Sequence, residues 1–176
     1  MRRVMVIPVY YSRPKSEGHQ DGDSVYDHPT PIDEDGTLKR TLESIRIIKN
    51  QDFQLVILVS PTSEELTDRA KEKVNKILSE VNLDIQTFIF TPAELEKIKA
   101  LATEQDVEKS VIKLMNIRGY ANVRNMCIYT AYILGAEMAM LIDDDELFEK
   151  EDFVDLASQY IGGRLYGKTI DGVAGY

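Results

Sequence analysis

Mostly apolar runs of strand length alternate with helix-spaced apolar residues along the chain. The runs predict four buried strands, at 4–10, 53–59, 85–90 and 136–142. The helical spacing predicts the intervening helices, at 37–48, 62–81, 92–115 with a break near 103–106, 122–134 and 152–161. This alternation favours the α/β class, with a mostly parallel sheet that has helices on both faces.

Two of the predicted helix starts match the capping-box pattern, in which a hydroxyl residue is followed three positions later by Glu or Gln. They begin at Thr62 and Thr91, and Pro92 takes the first helical position of the second. Thr37 is the predicted N-cap of the first helix. The tail, 165–176, is predicted to hold a strand and a turn.

Residues 11–36 form an unusually long polar segment that is rich in Gly, Pro, Asp and Ser and shows no periodicity. Loops of this length are either functional or disordered. Two interpretations stay open: a lid or acceptor contact, and a surface insertion without a role. Its histidines, His19 and His28, are expected to be solvated, because lone histidines on a polar loop seldom bind a ligand.

Composition and charge narrow the classes of partner. With 176 residues, 43% of them hydrophobic, the chain suits one globular domain. The net charge of −9 argues against a nucleic-acid backbone or an anionic membrane surface as partner. Formation of a homo-oligomer stays open. There is no transmembrane-length apolar run and no signal-peptide pattern, so a cytoplasmic location is expected. The single cysteine, Cys127, excludes a disulfide framework and is expected in a helix core.

The apolar run that ends at Ile142 is followed directly by four acids, 143–146, without a Gly or Pro turn. Neighbouring carboxylates raise one another's pKa unless a cation neutralises them, and Mg²⁺ or Mn²⁺ suits oxygen ligands. In open α/β sheets, ligands bind outside the carboxyl ends of the strands. The sequence therefore indicates a cation site there; the alternative is a solvated acidic loop.

Three segments carry a resemblance to a known family. They are Val6-Ile7-Pro8-Val9-Tyr10, Gly119-Tyr120-Ala121-Asn122-Val123-Arg124-Asn125 with the later Gly135-Ala136, and Leu141-Ile142-Asp143-Asp144-Asp145. In this order and spacing they resemble the opening strand, the Gly-x-Ala-x-x-Arg-Asn helix start and the Asp-x-Asp motif of family 2-like glycosyltransferases with the GT-A fold. The resemblance covers nearly the whole chain. It implies a single Rossmann-like, nucleotide-sugar-binding GT-A domain over 1–176.

The resemblance implies a donor site, a metal site and transfer of a sugar to an unknown acceptor. The donor, a UDP- or GDP-sugar, is expected to contact residues from four parts of the chain: Pro8, Val9, Tyr10, Ser60, Arg124, Asp143 and Asp144. Asp143 and Asp145 are expected to bind Mn²⁺ or Mg²⁺, whose charge stabilises the leaving diphosphate. A guanidinium at Arg124 suits a phosphate or ribose; its alternative role is a surface salt bridge to the acidic cluster.

Two features depart from the family. Many relatives carry an acidic residue for the base at the end of the second strand, whereas residues 59–63 read Val-Ser-Pro-Thr-Ser. Relatives also continue past the segment that resembles 171–176, so we expect the acceptor part and the catalytic base to be missing from this chain.

Two other functions stay open as alternatives. A nucleotidyltransferase would need a Gly-rich loop with Lys or Arg after the first strand, and residues 11–15 match this poorly. A non-catalytic, nucleotide-sugar-binding or regulatory domain on a degenerate transferase fold would keep the donor site and lack turnover.

Overall fold

A computed structural model describes residues 1–175 and confirms the α/β class with a parallel sheet and helices. Tyr176, the last residue of the predicted C-terminal strand and turn, lies outside the described residues. No helix within the described range is both long and apolar enough to span a membrane.

The elements follow the predicted alternation. The main sheet consists of β1 (Arg3–Ser12), β2 (Thr30–Pro31), β3 (Gln54–Pro61), β4 (Thr87–Phe90) and β5 (Met138–Leu141). A separate hairpin, β6 (Arg164–Leu165) and β7 (Lys168–Thr169), follows it. The helices are α1 (Leu38–Ser44), α2 (Thr67–Val81), α3 (Pro92–Glu104), α4 (Lys109–Leu114), α5 (Tyr120–Ile133) and α6 (Phe153–Ser158). Single 3₁₀ turns at Ile45–Ile47 and Glu64–Leu66 extend α1 and precede α2.

β1 is the central strand, and every pairing within the main sheet is parallel. One edge of β1 pairs along its length with β3, which pairs in turn with β4. The other edge of β1 pairs with two strands, one at each end. β5 pairs with 3–6 of β1, and β2 pairs only with 11–12. The chain therefore reverses its strand order at β1, which creates a switch point between β1 and β5.

Alternating residues of β1 supply two separate cores. One set, including Met5, Ile7 and Val9, packs with residues of α1, α2 and α6. The other, including Val4 and Val6, packs with residues of α3 and α5. Because successive strand side chains point to opposite faces, this pattern places helices on both faces of the sheet, as predicted.

The two predicted capping boxes have different outcomes. The box at Thr91 is present, with its side chain bonded to the Ala93 amide and Glu94 bonded back to the Thr91 amide. The prediction of a capping box at Thr62 is wrong. A 3₁₀ turn follows it without a side-chain cap, and α2 begins later, at Thr67. Thr62 instead extends the pairing of β3, since its amide donates to the Tyr11 carbonyl.

Candidate functional site

One edge of β1 is unpaired towards its carboxyl end, where β5 has ended and β2 has not begun. The surface over this gap, which carries Tyr10, Tyr120, Arg124 and Asp143, is called the crevice below. The carbonyls of Val6 and Ser12 face this edge, because they accept amides from Ile142 and Ile32. By the alternation of a strand, the backbone groups of Pro8 and Tyr10 face the same edge, into the gap. Proline has no amide hydrogen, so Pro8 leaves no unpaired donor there.

The three residues predicted from the first segment therefore have different places. Val9 is buried, and its side chain belongs to the core. Pro8 is also buried within β1. Only Tyr10 has a partly exposed side chain, so Pro8 and Val9 can reach a ligand only through the backbone.

Arg124 and Asp143 are in direct contact at the crevice. The Arg124 Nη2 atom lies 2.5 Å from the Asp143 Oδ1 atom and 2.9 Å from the Tyr120 hydroxyl. The guanidinium carbon also lies 5.1 Å from the centroid of the Tyr120 ring. Burial alone would lower the pKa of Arg124, but the hydrogen bonds to Tyr120 and Asp143 and the charge of Asp143 raise it above its usual value. The guanidinium thus stays charged and neutralises one of the four acids.

Asp144 points away from the crevice towards α1. Its Oδ2 atom accepts a hydrogen bond from the Thr37 hydroxyl at 3.2 Å, and its carbonyl accepts one from the Thr41 hydroxyl at 2.6 Å. Burial raises the pKa of Asp144 to about 6, which the bond from Thr37 only partly opposes. Thr37 lies at the N-cap position of α1, as predicted, but its side chain bonds to Asp144 and makes no capping hydrogen bond.

A row of hydroxyls along α1 holds the acidic segment. Thr37, Thr41 and Ser44 are spaced four and three positions apart, so they share one side of the helix. The first two bind Asp144, and Ser44 accepts the Phe148 amide at 3.1 Å. Sequence reasoning missed this row, although its helical spacing among the apolar residues of α1 was the available signal.

Three tyrosines line the side of the crevice that lies towards α5. The centroids of Tyr10 and Tyr26 are 4.6 Å apart, with the ring planes at 45°. Those of Tyr10 and Tyr120 are 6.3 Å apart, with the planes at 18°. The Tyr10 hydroxyl is buried without a hydrogen-bond partner among the described residues. An aromatic face next to a guanidinium is a suitable surface for a planar, anionic ligand such as a nucleotide.

Ser60 lies beneath Tyr26. Ser60 is completely buried, and its hydroxyl donates to the Ile117 carbonyl at 2.5 Å while its oxygen lies 2.7 Å from the Tyr26 hydroxyl. The Gly119 amide donates to the same Tyr26 oxygen at 3.1 Å. Direct contact between Ser60 and a donor therefore requires Tyr26 to move. Gly119 has a φ of +82°, which its lack of a side chain allows just before α5 begins.

The long polar segment is tied to the body at several points. Arg13 and Asp23 form a bidentate ion pair with side chains only 10% and 4% exposed, and Arg13 also binds Glu65 at 2.9 Å. The Ser24 amide donates to the Thr62 carbonyl at 2.8 Å. Further along, Lys73 of α2 donates to the carbonyls of Ile32 and Glu34. These contacts carry the segment across the carboxyl end of the sheet.

The metal prediction requires oxygen ligands at the acidic segment. Among residues 1–175, no group of three or more His, Cys, Asp or Glu side chains is arranged to hold an ion. Asp144 is turned towards Thr37, and the Glu146 carboxylate accepts the Asp143 amide at 3.0 Å. The two acids of the predicted metal site are therefore Asp143, paired with Arg124, and the exposed Asp145. Two carboxylates fit Mg²⁺ or Mn²⁺ when substrate phosphates and water supply the other ligands. The metal assignment stays a prediction.

Taken together, the fold and site define a parallel α/β protein with acidic, basic and aromatic side chains around its switch-point crevice. The chain was compared with protein families, characterised proteins and solved structures, and no family model, curated protein or solved structure matches it.

Proposed function

We propose that this chain is a GT-A-like glycosyltransferase domain that binds a nucleotide-diphospho-sugar and a divalent cation in the crevice between β1 and β5. The observation that carries the proposal is the position of Arg124 and Asp143, which form an ion pair at the switch point. Ligands of open α/β sheets bind at such a point.

Each group has a role that suits a sugar diphosphate. Tyr10 and Tyr120 offer aromatic faces for the base or ribose, and the Arg124 guanidinium can bind phosphate oxygens. Asp143 can bind a ribose hydroxyl or, with Asp145, a cation. When bound, Mn²⁺ or Mg²⁺ supplies positive charge to the phosphate oxygens of the leaving group. Asp144 supports the segment from below through Thr37 and Thr41.

The nucleotidyltransferase alternative has less support. The basic residues after β1 would have to bind a triphosphate, but Arg13 is engaged by Asp23 and Lys15 lies 2.6 Å from Glu34. A binding domain without turnover would use the same crevice, so it is distinguished by its products and not by its affinity.

The proposal is tested by calorimetric titration of UDP-glucose and GDP-mannose in Mn²⁺ and, separately, in EDTA. We expect saturable binding of at least one donor in Mn²⁺, weaker binding in EDTA, and loss of the Mn²⁺ effect in Asp143→Asn. The matched control is Asp84→Asn, an exposed acid at the amino end of β4, far along the strands from the crevice. Binding that is absent for both donors, or equal in Asp143→Asn and the parent, would reject the proposal.

A further inference from the structure

We propose that in the ligand-free protein the Tyr26 side chain occupies the position where the donor's base binds, called the seat below. A pyrimidine, as in a uridine diphosphate sugar, displaces it from there. The inference rests on the proposed function, because it names the base that the same crevice accepts. It concerns Tyr26 and the residues that hold it: Tyr10, Ser60 and Gly119.

The seat offers one hydrogen-bond donor and one acceptor to the Tyr26 phenol. The Gly119 amide donates to the phenol oxygen at 3.1 Å. The Ser60 hydroxyl is already directed at the Ile117 carbonyl, so its oxygen is left to accept the phenol proton at 2.7 Å. Because Ser60 is completely buried, these directions are fixed by protein groups and not by solvent.

A pyrimidine can replace these contacts. Uracil carries a carbonyl oxygen next to an N–H, so one edge can accept from the Gly119 amide and donate to the Ser60 oxygen. Its flat ring can take the place of the Tyr26 ring against Tyr10, where the centroids are now 4.6 Å apart. The seat holds one six-membered ring, whereas a purine would bring a second, fused ring. The size of the occupied space therefore favours UDP over GDP.

The surroundings of Tyr26 also allow its side chain to move out of the seat. Between Lys15 and Pro31 it is the only buried residue, and its neighbours Val25 and Asp27 are exposed. Contacts on both sides hold the chain to the body: the Arg13–Asp23 ion pair before it and the β1–β2 pairing after it. A short segment between two fixed points can release one side chain without unfolding the rest.

If Tyr26 and the base exclude each other, the measured affinity is reduced by the fraction of molecules in which Tyr26 has left its seat. Removing the ring abolishes this competition. Tyr26→Ala should therefore bind UDP about tenfold more tightly than the parent protein, which corresponds to about 1.4 kcal/mol. GDP should gain less, because its second ring still does not fit.

The experiment is calorimetric titration of UDP and of GDP in Mn²⁺ for the parent, Tyr26→Ala and Tyr26→Phe. Tyr26→Phe keeps the ring and loses both hydrogen bonds, so its UDP affinity should lie between the other two. Tyr166→Ala is the control, since Tyr166 is 95% exposed at the turn of the β6–β7 hairpin. Its affinities should equal those of the parent.

A second measurement needs no variant. Amide hydrogen exchange of residues 24–28 in the parent protein should become faster when UDP is added, because Tyr26 leaves its seat. Slower exchange on UDP binding would show a closing lid and overturn the inference. So would an unchanged or weaker UDP affinity in Tyr26→Ala, and a GDP gain equal to that of UDP would overturn the choice of a pyrimidine. Failure of every variant to bind either nucleotide would overturn this inference together with the proposed function.

Discussion

The Arg124 guanidinium and the Asp143 carboxylate, with Nη2 and Oδ1 2.5 Å apart, join the first turns of α5 to the segment after β5. The two side chains are 29% and 42% exposed, so water screens part of their attraction. The pair therefore contributes little to folding. Under the proposed function, the pair places a guanidinium that can bind phosphate directly beside a carboxylate that can bind a metal.

Arg124→Ala should weaken nucleoside diphosphate binding by about 10- to 100-fold, because a charge-assisted hydrogen bond is worth roughly 1.5–3 kcal/mol. Its free energy of unfolding should fall by less than about 1 kcal/mol, as for other exposed ion pairs. Titration calorimetry and urea unfolding measure the two effects. Arg69→Ala, an exposed arginine on α2, serves as the control. A large loss of stability with unchanged affinity would assign Arg124 a purely structural role.

Asp145→Asn should abolish the stabilisation that Mn²⁺ adds in the presence of UDP. A ligand at about 100 times its Kd stabilises the native state by roughly 2.7 kcal/mol, which is readily seen as a higher Tm. Without metal, the variant should be as stable as the parent or slightly more so, because one of several neighbouring negative charges is removed. Asp84→Asn should keep the full Mn²⁺ response. Retention of that response in Asp145→Asn would exclude Asp145 as a ligand.

Asp23→Asn should loosen the long polar segment without unfolding the domain. The hydrogen bonds from Arg13 hold the pKa of Asp23 below its usual value. A carboxyl whose folded-state pKa is lowered contributes stability above its unfolded pKa, about 3.9, and loses it as the pH falls further. Amide exchange at 20–26 should therefore be faster in Asp23→Asn at neutral pH. In the parent, the protection of these amides relative to their intrinsic exchange rate at the same pH should fall only in acid, below about pH 4. Asp21→Asn, an exposed acid in the same segment, should match the parent.

Cys127 should be unreactive towards thiol reagents in the native protein. Its side chain is completely buried in α5, and burial raises the pKa of the thiol to about 12. At pH 8, native protein should react with a disulfide reagent at least about 100-fold more slowly than protein in urea, since only the thiolate attacks. In the unfolded chain the thiol ionises near pH 8.5, so stability should begin to fall above about that pH. Equal rates with and without urea would contradict this placement.

The alternation of strands and helices could be predicted because hydrophobic periodicity determines it. The break between α3 and α4, the buried Cys127 and the capping box at Thr91 were all predicted and are present. Pairing could not be predicted where it depends on contacts distant in sequence. β2 has two residues, and nothing in Thr30-Pro31 distinguishes them from a loop until β1 lies beside them.

The charged residues of the candidate site could be predicted from the sequence, but the residues that hold them in place could not. The acids and Arg124 stand out in the sequence, whereas the partners of Thr37 and Thr41 lie more than a hundred positions away. Tyr26 carried one unused signal: it is the only aromatic residue between Tyr11 and Phe53. An isolated aromatic in a polar segment has to be buried against something, but the sequence does not say against what.

Pro8 disfavours the pairing of a further strand with the open edge of β1 and so keeps the crevice from being covered. A strand that extended β5 or β2 along the open edge of β1 would need an amide donor at this position, and proline has none. Neither β5 nor β2 therefore extends its pairing into the gap between them. Because proline lacks an amide hydrogen, this edge of β1 stays unpaired. Pro8→Val would add an amide donor there, and a strand from another molecule or another part of the chain could then pair with the edge.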